Sequence, residues 1–93
     1  MTVGILQITL NINDARSLKD KRRVVKSLKD RLRNRFNISI AEVGMQDYWQ
    51  QAELAACMVG SDRRYVEGAL TKIVSLFESY PPVIVVDYQI ELL

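Results

Sequence analysis

From Val3 to Ile12 the chain alternates: Gly4, Leu6, Ile8, Leu10 and Ile12 take the even positions, and Val3, Ile5, Gln7, Thr9 and Asn11 the odd ones. A period of two predicts a strand with one face on a core. The spacing then changes. Leu18, Val25, Leu28, Leu32 and Phe36 recur at seven, three, four and four residues, with Val24 widening the stripe, which is one face of a helix. Ser17 opens that helix, with Asp20 three residues later in the place a capping box usually gives to Glu. At ~1.5 Å per residue the helix is roughly 30 Å long.

Residues 37–44, NISIAEVG, are rich in strand formers, but Ile38 and Ile40 share one parity and Val43 the other. A bulge or an edge position accounts for that break. The segment MQDYWQQ, 45–51, leads to a third strand at 52–60, where Leu54, Ala56 and Met58 alternate with Ala55, Cys57 and Val59. Ser61 and Asp62 cap a second helix with apolar positions Val66, Ala69, Leu70, Ile73 and Phe77. Pro81 and Pro82 end it, because proline cannot continue a helix without losing a hydrogen bond. A last strand spans 83–92, with Ile84, Val86, Tyr88, Ile90 and Leu92 against Val85, Asp87, Gln89 and Glu91.

The order β-α-β-β-α-β predicts an α+β, ferredoxin-like domain: a four-stranded antiparallel sheet with two helices on one face, as a single domain over residues 1–93. Right-handed crossovers place the first and third strands in the centre. The even positions of the first and last strands are then expected to face the helices.

Composition narrows the chemistry. Ninety-three residues bury roughly 60–65% of the unfolded surface, enough for one core. With no histidine and only Cys57 as a thiol, the usual zinc ligand sets are missing, and so are Ser-His-Asp and Cys-His catalysis. No acidic cluster suggests a carboxylate-held Mg²⁺. The loop NINDARS after the first strand, where acylphosphatases of the same element order hold phosphate, has no glycine. Neither GxxxxGK[ST] nor GxGxxG occurs. A non-enzymatic protein without metal or cofactor is expected. The start, MTVGILQITLN, lacks a basic segment and a cleavage site, and no stretch reaches the ~18–20 apolar residues of a membrane span. The expected location is cytoplasmic, with no membrane partner.

Charge is where the chain departs from the ordinary. Ten of the thirteen basic residues lie in Arg16–Arg35, offset only by Asp20 and Asp30, so this segment carries +8 and the remainder −6. At about 100° per residue, Lys19, Arg22, Arg23, Lys26, Lys29 and Arg33 gather in an arc of about 120° on one flank of the apolar stripe. Asp30 shares the arc, and Arg31 and Arg35 lie on the other flank. A ridge of this kind matches phosphates along a nucleic-acid backbone, with counterion release supplying affinity. Arg63 and Arg64 are possible outlying contacts. In the competing readings the charge is solvated or pairs with acids such as Glu42, Glu53 or Asp87 across a subunit contact, or the chain is a dimeric protein-interaction scaffold whose basic helix meets an acidic protein surface.

The open sheet face excludes one mode of RNA binding. An RNA-recognition motif stacks bases on aromatics of its central strands, whereas Val3, Ile5, Gln7, Thr9, Ala55, Cys57 and Val59 include none. Val3, Ile5, Cys57, Val59, Val83 and Val85 instead predict an apolar patch of a size that monomers seldom expose. A homodimer is expected to cover it, with Ile5, Cys57, Val59 and Val85 as contacts. Trp49, beside Tyr48, has two readings: it stacks a base or anchors a partner, or it caps the core or the dimer contact.

The run SLKDKRRVVKSL into RLRNRFN, followed by DYWQ and SDR, resembles the YlxP-like family of small uncharacterised bacterial proteins, and the resemblance covers essentially the whole chain. It implies a ferredoxin-like domain. It also implies an association with translation, because the family's genes often lie beside those of a translation initiation factor and a ribosome-binding factor. Together with the ridge, the expectation is an RNA- or ribosomal-subunit-associated protein. The resemblance brings no catalytic or binding residues with it.

Overall fold

The computed structural model describes residues 1–93. Its elements are β1 (Thr2–Asn11), α1 (Leu18–Arg35), β2 (Ser39–Gly44), β3 (Gln51–Gly60), α2 (Arg63–Glu78) and β4 (Ile84–Leu92). The four strands form one antiparallel sheet in the order β2-β3-β1-β4, so β1 and β3 are central. This is the ferredoxin-like α+β arrangement that the periodicities predict.

Local chemistry sets the helix boundaries. Ser17 Oγ accepts a hydrogen bond from the Asp20 amide at 3.1 Å, and Asp20 Oδ2 accepts from the Arg16 amide at 3.0 Å. The return bond of the capping box therefore reaches one residue further back than the cap itself. Asp62 caps α2 by accepting from the Arg64 amide at 2.9 Å.

The core lies between the sheet and the helices. Leu6, Ile8, Leu10 and Ile12 from β1 meet Leu54, Ala56 and Met58 from β3, with Val25, Leu28 and Leu32 of α1 and Val66, Leu70, Ile73 and Phe77 of α2 above them. Gly4 sets the close approach of α2 to β1: a Cβ there would lie 2.6 Å from Val66 Cγ1 and 2.7 Å from Leu70 Cδ1.

Strand β2 is both an edge strand and bulged, its register with β3 slipping between Glu42 and Gly44 and leaving Val43 exposed. A second bulge corrects the reading of β4. The β1–β4 register shifts between Thr9 and Leu10, so Thr9 faces Asp87 while Leu10 faces Val85. The extra residue, Val86, reverses the parity of what precedes it. Tyr88, Ile90 and Leu92 keep the helix face, but Val85 and Val83 join them there and Ile84 turns to the open face beside Asn11. Val85 packs against the core and Val83 is buried in it, so neither belongs to the exposed patch.

Candidate nucleic-acid interface

Helix α1 turns Val25, Leu28 and Leu32 inward, and Lys21 with them. A lysine one turn before Val25 falls on the apolar stripe by spacing alone. Its side chain is 0% exposed. The ammonium has three N–H donors, and the backbone oxygens of Met45, Gln46 and Gln51 accept from it at 2.8, 3.1 and 3.2 Å. Glu42 Oε2 supplies the opposite charge at 2.8 Å. With all three protons directed at carbonyls, that contact is an ion pair rather than an aligned hydrogen bond. Lys21 is thus a structural post of the β2–β3 connection, and the acid foreseen as a dimer partner for the helix is used inside the chain. Met45, at φ 58°, takes the left-handed conformation where the connection turns around the ammonium.

The six ridge residues share one flank of α1. Lys19, Arg22, Arg23, Lys26 and Arg33 are exposed and Lys29 is half-buried. They are not equivalent. Lys26 pairs with Asp30 at 2.8 Å, one turn on. Arg33 Nη2 donates to the Ile40 backbone oxygen at 2.9 Å, closing a carbonyl of edge strand β2, and Nη1 lies 3.9 Å from Asp30. The side chains of Lys19, Arg22, Arg23 and Lys29 make no ion pair, which leaves them free for an anionic partner. The hydrogen bond from Lys26 holds the Asp30 carboxyl below its ordinary value, opposed by desolvation and aided by the charges of Lys26, Arg33 and Lys29. The ridge therefore keeps its one acid ionised.

On the opposite flank Arg31 stacks 4.8 Å above the Tyr80 ring, where the helices meet. Arg63 and Arg64 stand exposed in the first turn of α2, a position where the helix dipole favours negative charge.

The open sheet face has the other sign. None of the thirteen basic residues lies on a strand, while Glu53, Asp87 and Glu91 all face outward, opposite Thr9, Thr9 and Ile5. The apolar patch is real but smaller than the alternation predicts. It consists of Val3, Ile5, Cys57 and Val59 at one end of β1 and β3, with Val59 57% exposed.

Trp49 is 55% exposed and Tyr48 57%, so Trp49 does not cap the core. The pair stands at the Asn11 end of the sheet, roughly 25 Å from Val3 at ~3.3 Å per residue, and cannot share an interface centre with the patch. Tyr48 and Trp49 border an open hollow of about 630 Å³ together with Asn11, Asn13, Asp47 and Gln51. Asn11 Oδ1, on the outward side of β1, is closed off from solvent and has no hydrogen-bond partner within the chain. Sequence reasoning marked Trp49 but missed Asn11, whose outward parity on β1 was the available signal.

No helix is long and apolar enough to cross a membrane. Comparison with known proteins gives two matches of the same kind. A family described as a protein of unknown function (DUF503) matches residues 3–90. The chain is also 37% identical over 81 residues to the uncharacterized protein YlxP of Bacillus subtilis (strain 168), covering 87% of this chain and 88% of that protein.

Proposed function

We propose that this chain, which belongs to the DUF503 family of proteins of unknown function, is a non-enzymatic RNA- or ribosome-associated domain that binds phosphates through the exposed flank of α1. The observation that carries this reading is the segregation of charge: the ridge cations crowd one helix flank while the strands hold only acids. Such crowding opposes folding through self-repulsion, and a polyanion relieves it. The patch of Val3, Ile5, Cys57 and Val59 is covered, in this reading, by a second copy of the chain.

The phosphate contacts fall to Lys19, Arg22, Arg23 and Lys29, because Lys26 and Arg33 already serve Asp30 and the Ile40 carbonyl. The test is co-sedimentation of the tagged protein with ribosomal subunits at low and moderate salt, beside a variant carrying Lys19→Glu, Arg22→Glu and Arg23→Glu. Salt-sensitive binding that the variant loses supports the reading. Binding that survives the variant, or never occurs, sinks it. Capture of an acidic protein in place of RNA would move the ridge to the competing role of a protein-docking helix.

A further inference from the structure

The two edges of the sheet are finished differently. On β2 the outward carbonyls are taken by side chains of the same chain: Arg33 Nη2 donates to the Ile40 oxygen at 2.9 Å, and Gln46 Nε2 to the Glu42 oxygen at 3.2 Å. With the register slip between Glu42 and Gly44, that short edge keeps no regular row of groups to pair. Strand β4 is longer, at nine residues, and contains no lysine, arginine or proline. Its bulge lies at Val86, near its start, so Asp87–Leu92 runs in unbroken register along β1.

Backbone groups alternate along this edge. Val3 and Leu93 exchange both hydrogen bonds, at 3.3 and 2.8 Å, so Leu93 turns its N–H and C=O toward β1, and Glu91, Gln89 and Asp87 follow at every second residue. Tyr88, Ile90 and Leu92 turn theirs to solvent. Of that row only the Tyr88 amide has a partner, Asp87 Oδ1 at 2.9 Å. A regular, unpaired row is a template for a further strand. Strand addition takes its affinity from main-chain bonds and its specificity from alternate side chains.

The side chains beside the row define that strand. On the helix side stand Tyr88, 48% exposed, and the half-buried Ile90 and Leu92, so apolar residues belong opposite them. On the open side stand Asp87, Gln89 and Glu91, all exposed, so cations belong there. A cation opposite Asp87 acts twice: it pairs with the carboxylate and draws it off the Tyr88 amide, which is then free to join the ladder. A second copy of β4 offers no such cation, because none of the basic residues lies on a strand. We propose that β4 is a docking edge for an extended segment of a partner protein that alternates basic and apolar residues, added as a fifth strand along Tyr88, Ile90 and Leu92. The site goes beyond the RNA-binding reading and does not rest on it. The cationic ridge borders β2, where Arg33 reaches Ile40, and β2 is the opposite edge of the sheet.

The test titrates the full chain with a soluble peptide whose core alternates lysine and valine. One control peptide carries glutamate in place of lysine. Another carries N-methyl groups on the valine amides, the ones that meet β4. Amide hydrogen exchange followed by NMR reads the site residue by residue. The lysine peptide is expected to slow exchange at Tyr88, Ile90 and Leu92 by about 10-fold or more at saturation, because these amides enter a ladder. Both control peptides should bind this edge about 10-fold more weakly or worse. Asp87→Asn combined with Glu91→Gln changes only exposed side chains, and should weaken the lysine peptide by roughly 10-fold with the fold retained. Binding of the lysine peptide that leaves the three amides exchanging as before overturns strand addition. Equal binding of the glutamate peptide along β4 overturns the basic partner. Protection of the three amides in the free chain that grows with protein concentration gives the edge to a second copy and overturns the proposal too, as does absence of any binding. Each of these results leaves the ridge standing, since its own test is binding to ribosomal subunits.

Discussion

The ammonium of Lys21 and the carboxylate of Glu42 lie 2.8 Å apart, one on the buried seam of α1 and the other on the helix side of bulged strand β2. The same ammonium holds three backbone oxygens of the β2–β3 connection. A charge taken fully out of water is tolerable only with this density of partners. Lys21→Met leaves the carbonyls and Glu42 unsatisfied and should lower stability by about 3–5 kcal/mol, measured by urea unfolding. Because the connection carries Trp49, the variant should also change Trp49 emission in the folded state. A loss below about 1 kcal/mol would mean that water replaces the ammonium freely.

Asp30 gives a prediction in pH. Its carboxyl is held below the ordinary value chiefly by the Lys26 hydrogen bond. A lowered folded-state pKa means that the pair's contribution to stability is complete above the ordinary carboxylate range. It is lost as pH falls through the depressed folded value. Carboxyl carbon NMR should show Asp30 titrating below an unstructured aspartate, and Lys26→Met should move the midpoint upward. No upward movement would assign the shift to Arg33 and Lys29 instead.

The four unpaired ridge cations set a salt dependence. If Lys19, Arg22, Arg23 and Lys29 each meet one phosphate of single-stranded RNA, the log–log slope of affinity against salt should be near −3. Removing one of the four should reduce the slope by ~0.7. Arg33→Gln should act differently, because Arg33 closes the Ile40 carbonyl: part of its effect should appear as stability in thermal unfolding.

Val59 and Val85 separate association from folding. Val59→Glu places a charge in the outward patch and should shift a dimer to the ~10.7 kDa monomer in sedimentation velocity, with the fold retained. Val85→Ala should leave association unchanged and cost about 1–2 kcal/mol of stability, because Val85 packs beneath the helices. A wild-type chain that is monomeric at micromolar concentration removes the dimer.

Gly4 predicts an overpacking cost. Gly4→Ala drives a methyl toward Val66 and Leu70 at under 3 Å and should destabilise by about 1–3 kcal/mol, as read by chemical denaturation.

Most of the architecture was legible in the sequence because β1, β3 and α1 alternate or recur cleanly, and the two crossovers admit few topologies. The β4 bulge was not. Val83, Ile84, Val85 and Val86 are all apolar, so the run carries no parity from which a one-residue slip can be read. The ridge positions were recovered by angle alone, but their division into free and engaged cations depends on Asp30, on the Ile40 carbonyl and on where β2 lies. Lys21 was hidden by its neighbours: in KDKRRVVK one more lysine reads as surface, although its angle to Val25, Leu28 and Leu32 marks it as interior. Asn11 needed the fold, since an orphaned acceptor is a property of surroundings rather than of residue type.

The separation of acidic strands from a basic helix flank gives the molecule a permanent electric moment that its net charge of +2 does not express. In the field of a polyanion such a body experiences a torque before it touches anything, and it turns the α1 flank forward while the sheet swings away. Approach and alignment then become one event, and the fraction of encounters that arrive correctly oriented rises as salt is lowered.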